Sequence, residues 1–229
     1  MHIYYLIPRI LQTLIWIPTR VGLHFFARMR IKGKENIAGL RGGVVFVSNH
    51  ASEADPIILP ATLSPISRLF PIFYVARSKK HYGHTGAFKS RIYGGSFFNF
   101  WGAYPAREGT RDYEKSLAYH LKILKKGKSV QIFPEGKKAP DGAIQDDVHG
   151  GAAYLAWRAG VPVVPVAIKG TFQTTLSKFF LFGKKYAISY GVPIYPAELF
   201  GDKEKPTVAD FKDAACRVMG EVEKLYKEL

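Results

Sequence analysis

Residues 44–56 read VVFVSNHASEADP, and this stretch decides how the chain is expected to fold. Val44 to Ser48 is short, apolar and rich in β-branched residues, which is typical of a buried strand. Asp55 followed by Pro56 is typical of an N-cap and the first position of a helix. The stretch therefore predicts a strand, a polar turn and a helix, with polar side chains where the strand ends.

Strand and helix patterns alternate along the chain on the C-terminal side of this stretch. Further strands are predicted at 72–76, near 97–103, at 129–133 and at 163–168. Apolar residues at spacings of three and four predict helices over 113–124 and 208–229, and a further short helix is predicted over 150–159. The alternation predicts an α/β fold with a largely parallel central sheet flanked by helices. Pro165 inside the last strand predicts an edge strand or a bulge.

Composition narrows the class of protein. The chain has 229 residues, 47% of them hydrophobic, which is enough to bury a core and excludes a disordered or collagen-like chain. This length leaves room for one domain with attachments. Cys216 is the single cysteine, so an intrachain disulfide is excluded and a cytoplasmic location is favoured. No Cys/His cluster has the spacing of a metal site, and we expect no structural metal.

The net charge of +15 predicts an anionic partner, either nucleic acid, a membrane surface or a phosphorylated substrate. Residues 1–34 carry six Lys or Arg and no acid, and residues 56–107 carry seven and no acid. The rest of the chain has 20 basic and 18 acidic residues, so the excess lies in these two segments. No recognition helix, zinc finger or RNA-binding motif is visible, which argues against nucleic acid.

Residues 1–34 combine apolar and aromatic side chains with arginines. Arg9 and Arg20 limit the uncharged run to ten residues, where about 20 are needed to cross a bilayer. A signal peptide fits poorly, because Pro8 and Pro18 interrupt the apolar region and no small-residue cleavage site follows. Apolar side chains with interspersed arginines suit a helix lying on, or dipping into, one leaflet. We predict a membrane-interfacial anchor here; the alternative is a helix packed on the protein's own core.

His50 and Asp55, five positions apart where the first strand ends, are the first candidates for chemistry. A turn brings the carboxylate to the imidazole, where it fixes the tautomer and stabilises the imidazolium that forms when histidine accepts a proton. Such a pair activates a hydroxyl. The alternative is that Asp55 only caps the helix and His50 is a satisfied polar residue.

Three further segments carry candidate site residues. Arg107 follows a predicted strand between turn residues, which suits a bidentate grip on phosphate or an exposed loop arginine. Residues 133–138, FPEGKK, follow another strand, where ligands of open α/β sheets bind; the alternative is a solvated turn. Residues 161–165, VPVVP, either wall an acyl groove or belong to the core.

In order and chemistry, four segments resemble the motifs of the glycerolipid acyltransferases, the 1-acylglycerol-3-phosphate acyltransferase family. They are NHASEAD at 49–55, GAYPAR at 102–107, FPEG at 133–136 and VPVVP at 161–165. The resemblance covers residues from about 44 to 170. It implies a membrane-bound, monotopic enzyme with an acyltransferase domain over 35–229. Its reaction would move a fatty acyl group from acyl-CoA or acyl carrier protein to a lipid hydroxyl, with no metal or other cofactor.

The resemblance also implies residue roles. His50 would be the general base and Asp55 would orient it, while Arg107 would bind the phosphate of the acceptor, most simply 1-acylglycerol-3-phosphate. The other residues assigned to substrate binding are Asn49, Glu135, Gly136, Lys137 and Lys138, and those assigned to an acyl groove are Val161, Pro162 and Pro165. The family commonly has Thr and Arg where this chain has Lys137 and Lys138. Lysine keeps the positive charge but lacks the planar guanidinium group of arginine, so the identity of the acceptor stays open.

Several alternatives remain open from the sequence. Other acceptors are glycerol 3-phosphate, other lysolipids, an amino-acid lipid and a lipid A precursor. A thioesterase or lipid hydrolase is a second class, although no Gly-x-Ser-x-Gly elbow occurs. A basic nucleic-acid-binding protein is a third. The basic segment from Arg77 to Arg91 is predicted either to meet lipid head groups or coenzyme A phosphates, or to be a solvated surface.

Overall fold

The computed structural model describes residues 3–77, 96–107, 112–181 and 184–229. One sheet is formed by β1 (Arg30–Lys32), β2 (Val45–Ser48), β3 (Ile72–Ala76), β4 (Ala103–Pro105), β5 (Ser129–Ile132), β6 (Val163–Lys169) and β7 (Ala187–Tyr190). Its strand order is β1-β7-β6-β2-β5-β3-β4. Among the strands of the described residues, only β6 and β7 pair antiparallel, and every other neighbouring pair is parallel. The predicted α/β fold with a largely parallel sheet is confirmed.

Helices cover both faces of this sheet. The described helices are α1 (Ile3–Phe25), α2 (Glu35–Ala38), α3 (Asp55–Thr62), α4 (Ser96–Phe100), α5 (Tyr113–Lys125), α6 (Gly151–Ala159), α7 (Leu176–Phe180), α8 (Pro196–Phe200) and α9 (Val208–Lys227). Helices α5, α6 and α9, which the apolar periodicity predicts, share one core layer. Helices α1 and α3 contribute to the other layer.

Strand β2 is apolar from Val45 to Val47, and Ser48 at its end is also buried, because both faces of the strand are covered. Val45 and Val47 belong to the core layer under α5, α6 and α9, whereas Val44 and Phe46 belong to the layer under α1 and α3. Successive strand residues point to opposite faces, so a strand between two helical layers needs apolar residues at every position. The central position of β2 therefore follows from its sequence.

The strand predicted near 97–103 is wrong in most of its length. Residues 96–100 form α4, and the strand β4 begins only at Ala103. Gly102 separates the two with φ of +86°, and a Cβ there would lie 3.1 Å from the Phe73 ring. Aromatic residues favour strands through side-chain packing rather than through the backbone, so the aromatic run alone does not specify a strand.

Pro165 does not lie in an edge strand, because β6 pairs with β2 on one side and β7 on the other. The pairing with β7 ends at Val166, opposite Tyr190, and resumes one residue out of register where Val163 pairs with Ile194. This shift is a bulge. At a bulge one residue is left out of the hydrogen bonds between the strands, so the backbone N–H that proline lacks is not needed there. The bulge prediction is confirmed and the edge prediction is wrong.

Helix α1 runs from residue 3 to residue 25 without interruption, although it contains Pro8 and Pro18. Its inner face packs on the protein, with Gln12 and Leu23 buried. The Gln12 amide donates to the Ile72 carbonyl at 2.7 Å and accepts from the Ile72 N–H at 3.1 Å. Packing on the protein's own core is therefore observed for one face of the helix, while the other face is exposed. Within the described residues, no helix combines the length and apolarity that crossing a bilayer requires.

The sheet begins earlier than the predicted boundary at residue 34. Strand β1 lies within the predicted anchor segment, yet it pairs in parallel with β7 at the edge of the sheet. Only α1 can therefore be a separate peripheral segment, and residues 30–32 belong to the α/β domain. Strands β1 and β7 are short and partly polar, which is why no apolar run predicts them.

Candidate active site

The predicted site residues come from three segments that end at one edge of the sheet. His50 follows β2, Arg107 follows β4, and the loop 133–138 follows β5. These strands run parallel, so their carboxyl ends lie at the same edge, where open α/β sheets bind ligands. A cavity of about 1030 Å³ opens there, and His50, Arg107, Gly136, Lys137 and Lys138 are among its lining residues.

His50 and Asp55 form the predicted pair. Nδ1 of His50 lies 2.9 Å from Oδ2 of Asp55, which is fully buried. The same oxygen accepts the backbone N–H groups of Ala51 and Ser52, both at 2.7 Å. The carboxylate thus holds a hydrogen on Nδ1 and leaves Nε2 as the nitrogen that can accept a proton.

The N-cap prediction for Asp55 is wrong by one residue. Helix α3 begins at Asp55 itself, and Ala54 occupies the N-cap position. The carboxylate accepts from the turn before the helix instead of capping the first helical N–H groups. The spacing of Asp55 from His50 therefore serves the imidazole rather than the helix end.

Two further contacts hold His50, one through its ring and one through its main chain. It stacks on the Phe133 ring, with centroids 4.2 Å apart and planes inclined by 23°. The backbone N–H of His50 donates to Oε1 of Glu135 at 3.1 Å. The residues from Phe133 to Gly136 form a turn closed by a hydrogen bond of 3.0 Å from the Gly136 N–H to the Phe133 carbonyl. The loop after β5 thus fixes both the ring and the main chain of His50.

The structure places Glu135 inside the protein, away from the cavity surface. Its side chain is 3% exposed, and Oε1 accepts from His50 rather than facing a ligand. Burial is the main cause that raises the pKa of Glu135 to about 7; the hydrogen bond from the His50 N–H opposes this shift, and the negative charges of Asp55 and Asp141 add to it. The prediction that Glu135 binds substrate is wrong for this geometry; it positions the histidine.

Asn49 also faces the protein rather than the cavity. It is 2% exposed, its amide nitrogen donates to the Ile168 carbonyl at 2.9 Å, and its oxygen accepts from the Ile168 N–H at 2.8 Å. Both hydrogen bonds join the end of β2 to β6 just before His50. The predicted substrate-binding role is therefore wrong, because both ends of the amide are engaged by the backbone of Ile168.

Arg107, Lys137 and Lys138 are exposed and line the cavity. The main chain of Arg107 is tied to α5, since its N–H donates to the Ser116 carbonyl at 3.1 Å and its carbonyl accepts from the Ser116 hydroxyl at 2.9 Å. Lys138 forms an ion pair of 2.9 Å with Glu53. These cations give one side of the cavity a positive charge.

The predicted acyl groove does not form part of this cavity. Val161 and Pro162 precede β6, which runs parallel to β2, so they lie at the sheet edge opposite His50. Pro165 is buried beside Val47 within the sheet. The groove prediction is therefore wrong, and apolar walls come instead from α1, α3 and the α4 region. These walls are formed by Ile15, Trp16, Ile57, Pro60, Ala61, Phe98 and Trp101.

His149 is a cavity residue that the sequence analysis missed. The backbone N–H of His149 donates to the Pro134 carbonyl at 2.9 Å, which ties the residue to the loop after β5. Its ring lies against Gly136, where a Cβ would stand 3.0 Å from the ring and where φ is +65°. Two imidazoles, His50 and His149, thus lie against the same short turn. The one sequence signal is a histidine directly before a glycine pair at the start of a helix.

Most of the basic segment from Arg77 to Arg91 lies outside the described residues. Of the segment's residues, Arg77 lines the cavity. The predictions for Lys79, Lys80, His81, His84 and Lys89 concern the part of the chain that the structure does not describe.

Comparison with known proteins gives a family match over residues 28–169, to the family described as Acyltransferase. Among curated proteins, the chloroplastic 1-acyl-sn-glycerol-3-phosphate acyltransferase of Brassica napus is 28% identical over 83% of this chain and 52% of its own length. A chloroplastic protein of Arabidopsis thaliana with the same activity in its name is 30% identical over 66% of this chain and 38% of its own length. This chain thus spans about half, or less, of the length of these two relatives.

A bacterial relative matches over more of its length. The 1-acyl-sn-glycerol-3-phosphate acyltransferase of Bacillus subtilis is 25% identical over 88% of this chain and 91% of its own length. Among solved structures, the 1-acyl-sn-glycerophosphate acyltransferase PlsC from Thermotoga maritima aligns with a TM-score of 0.61 at 19% identity. That alignment covers 95% of this chain and 81% of the other. The likeness supports the fold.

Proposed function

Because this chain belongs to the Acyltransferase family, we propose that it transfers a fatty acyl group from a thioester to the hydroxyl of a lipid acceptor. The family match confirms the resemblance that the four sequence motifs indicate. The observation that carries the proposal is the His50–Asp55 pair at a cavity with one basic and one apolar side. The proposed acceptor is 1-acylglycerol-3-phosphate, and the proposed donor is acyl-CoA or acyl carrier protein.

The proposed chemistry uses His50 as a general base. Nε2 takes the proton of the acceptor hydroxyl while the oxygen attacks the thioester carbonyl, so a C–O bond forms and the C–S bond breaks. The thiolate leaves and takes the proton back from the imidazolium, which returns His50 to its starting state. Asp55 stabilises the imidazolium in between. Base assistance of this kind contributes about 10²- to 10⁴-fold to the rate.

The proposed acceptor site is the basic side of the cavity. Arg107 and Lys137 come from different strand ends and line the same space as His50. Hydrogen bonds between a guanidinium or ammonium group and phosphate are strong, and they would hold the acceptor with its hydroxyl near Nε2. The apolar side, between α1 and α3, would take an acyl chain. Both substrates would then meet at His50, which lines the cavity.

The proposed membrane contact is the outer face of α1. Leu14 and Ile17 are 68% and 64% exposed, and each turn of this face carries an apolar side chain. The inner side of the same helix lines the cavity through Ile15, Trp16 and Thr19. Lipid substrates would therefore reach the cavity beside the helix that rests on the membrane. We propose association with the cytoplasmic face, on the ground of the single cysteine.

The decisive experiment offers a panel of acceptors to the protein with a radiolabelled acyl thioester in detergent. We expect label in the diacyl product when 1-acylglycerol-3-phosphate is the acceptor. Glycerol 3-phosphate, other lysolipids, an amino-acid lipid and a lipid A precursor are the rival arms, and label in one of them would reassign the acceptor. Release of labelled fatty acid at a rate that no acceptor changes would identify a hydrolase and refute acyl transfer.

A further inference from the structure

We infer that three segments, and not α1 alone, contact the lipid surface: the outer face of α1, the turn carrying Ile66, and the end of α7 with Phe180 and Leu181. The inference rests on the proposed membrane association and defines its extent. It also fixes which side of the protein faces the bilayer.

The first segment is a stripe along α1, defined as its exposed apolar residues at successive spacings of four, four, three, four and four. They are Leu6, Ile10, Leu14, Ile17, Val21 and Phe25, and each is between 47% and 68% exposed. With 3.6 residues per turn, these positions fall on one face of the helix. Single exposed apolar residues are ordinary, but a continuous row of this length marks an interaction surface.

The turn with Ile66 lies along one flank of the stripe. Arg20 donates to the Ala61 carbonyl and Arg9 to the Pro65 carbonyl, each at 3.4 Å, so the end of α3 and the segment after it lie beside α1. The turn is closed by a hydrogen bond of 2.9 Å from the Ser67 N–H to the Ser64 carbonyl. Ile66 is 89% exposed at its tip. A closed turn therefore presents this apolar side chain to the surroundings next to the stripe.

Helix α7 lies along the opposite flank. A Cβ at Gly22 would stand 3.7 Å from the Phe179 ring, and the ring centroids of Phe26 and Phe180 are 5.0 Å apart. On the helical wheel, Gly22 and Arg20 are on opposite sides of the stripe. Phe180 is 53% exposed and Leu181 is 77% exposed. The exposed apolar surface thus continues from the Ile66 turn across α1 to the end of α7.

The charge around this surface favours a lipid bilayer as its occupant. Arg9 in α1, Arg28 just after α1 and Lys178 in α7 are exposed beside this surface. Apolar side chains can enter the acyl boundary while these cations reach anionic head groups. A second copy of the chain would bring its own cations against them, and like charges across an interface oppose association. An anionic membrane satisfies both the apolar stripe and its basic margin.

Single-cysteine labelling tests the inference directly, because Cys216 is the one native cysteine. In the full chain with Cys216→Ser, the variants Leu14→Cys, Ile66→Cys and Leu181→Cys carry an environment-sensitive fluorophore. The matched control is Val192→Cys, since Val192 is 68% exposed and apolar but follows β7, where the adjacent Gly191 packs against Leu225 of α9. The probe is a vesicle of phosphatidylcholine and phosphatidylglycerol. We expect a blue shift at the first three positions and none at the control.

Affinity gives a second readout. Ile66→Glu and Leu181→Glu should each weaken sedimentation with these vesicles about tenfold, and Val192→Glu should leave it unchanged. Unchanged circular dichroism and thermal unfolding would show that the variants fold. A shift at Leu14 without one at Ile66 or Leu181 would overturn the inference and leave α1 as the contact. No shift at any position would refute membrane association itself. An equal shift at Val192 would show adsorption without orientation and would also overturn the inference.

Discussion

Oδ2 of Asp55 lies 2.9 Å from Nδ1 of His50 and receives two backbone N–H groups of the intervening turn as well. The carboxylate is thus held in place by the chain that carries the histidine. Because three donors converge on this oxygen, the ring orientation is set before any substrate arrives. This preorganisation is what a base needs to act on a hydroxyl at Nε2.

Replacing His50 by alanine should lower kcat by about 10²- to 10⁴-fold, because the proton acceptor is lost. The buried carboxylate keeps its two backbone donors in this variant, so the fold should persist. The measurement is the rate of label transfer from the acyl thioester, with circular dichroism and thermal unfolding as the controls for folding. Transfer at more than a tenth of the wild-type rate would contradict the assignment of the base.

Arg107→Ala should raise the KM for 1-acylglycerol-3-phosphate by about tenfold or more, because a charge-assisted hydrogen bond is lost. The KM for the acyl donor should change much less. Arg41→Ala is the matched control: Arg41 is exposed but precedes β2, whereas His50 follows it. An unchanged acceptor KM in Arg107→Ala would refute the phosphate role.

His149→Ala should also raise the acceptor KM by about tenfold, since the ring lines the cavity against Gly136. His149→Lys keeps a donor and should recover most of the affinity. The comparison is between 1-acylglycerol-3-phosphate and monoacylglycerol, which has the hydroxyls but no phosphate. If both acceptors lose affinity equally, His149 shapes the cavity and does not bind the phosphate.

Glu135→Gln should change how stability depends on pH. Burial raises the pKa of Glu135 from its ordinary 4.5 to about 7, so the folded chain holds this proton more tightly than the unfolded chain. The stability from this group is fully present below its ordinary pKa and is lost as the pH rises through about 7. Glutamine has no such proton, so the variant should gain stability relative to the wild type between about pH 5 and about pH 8.

Urea unfolding at several pH values measures this difference. Glu204→Gln, which changes an exposed glutamate, serves as the control and should show no such trend. A difference between Glu135→Gln and the wild type that stays constant with pH would contradict the raised pKa. Glu135→Ala should additionally lower activity, because the His50 N–H loses its acceptor.

The sequence predicts the strands that are runs of apolar residues and misses those that depend on distant contacts. Strand β2 is apolar from Val45 to Val47 because two helical layers cover it, so this apolar run is informative. Strand β1 has three residues with only the middle one half-buried, and it exists because β7 pairs with it. No local sequence pattern indicates that β1 will pair with a strand as distant as β7.

The candidate site shows the same division. The spacing of His50 and Asp55 within one turn is local, and the sequence predicts their meeting correctly. Asn49 and Glu135 belong to the same motifs, but their side chains point inward to Ile168 and to the His50 main chain. Residue type and order do not reveal that direction. His149 reaches the cavity through a hydrogen bond to Pro134, a contact that its own segment does not predict.

Helix α1 is a wall of the cavity on one side and carries the stripe on the other. A helix with its side chains is about 10 Å across, so a lipid would move sideways by roughly one helix width to travel from leaflet to imidazole. The hydrocarbon tail of the lipid would pass from the acyl region of the bilayer to the apolar wall of the cavity without crossing water. For an insoluble substrate, this short route would remove the cost of extraction into water that a site facing the solvent would impose.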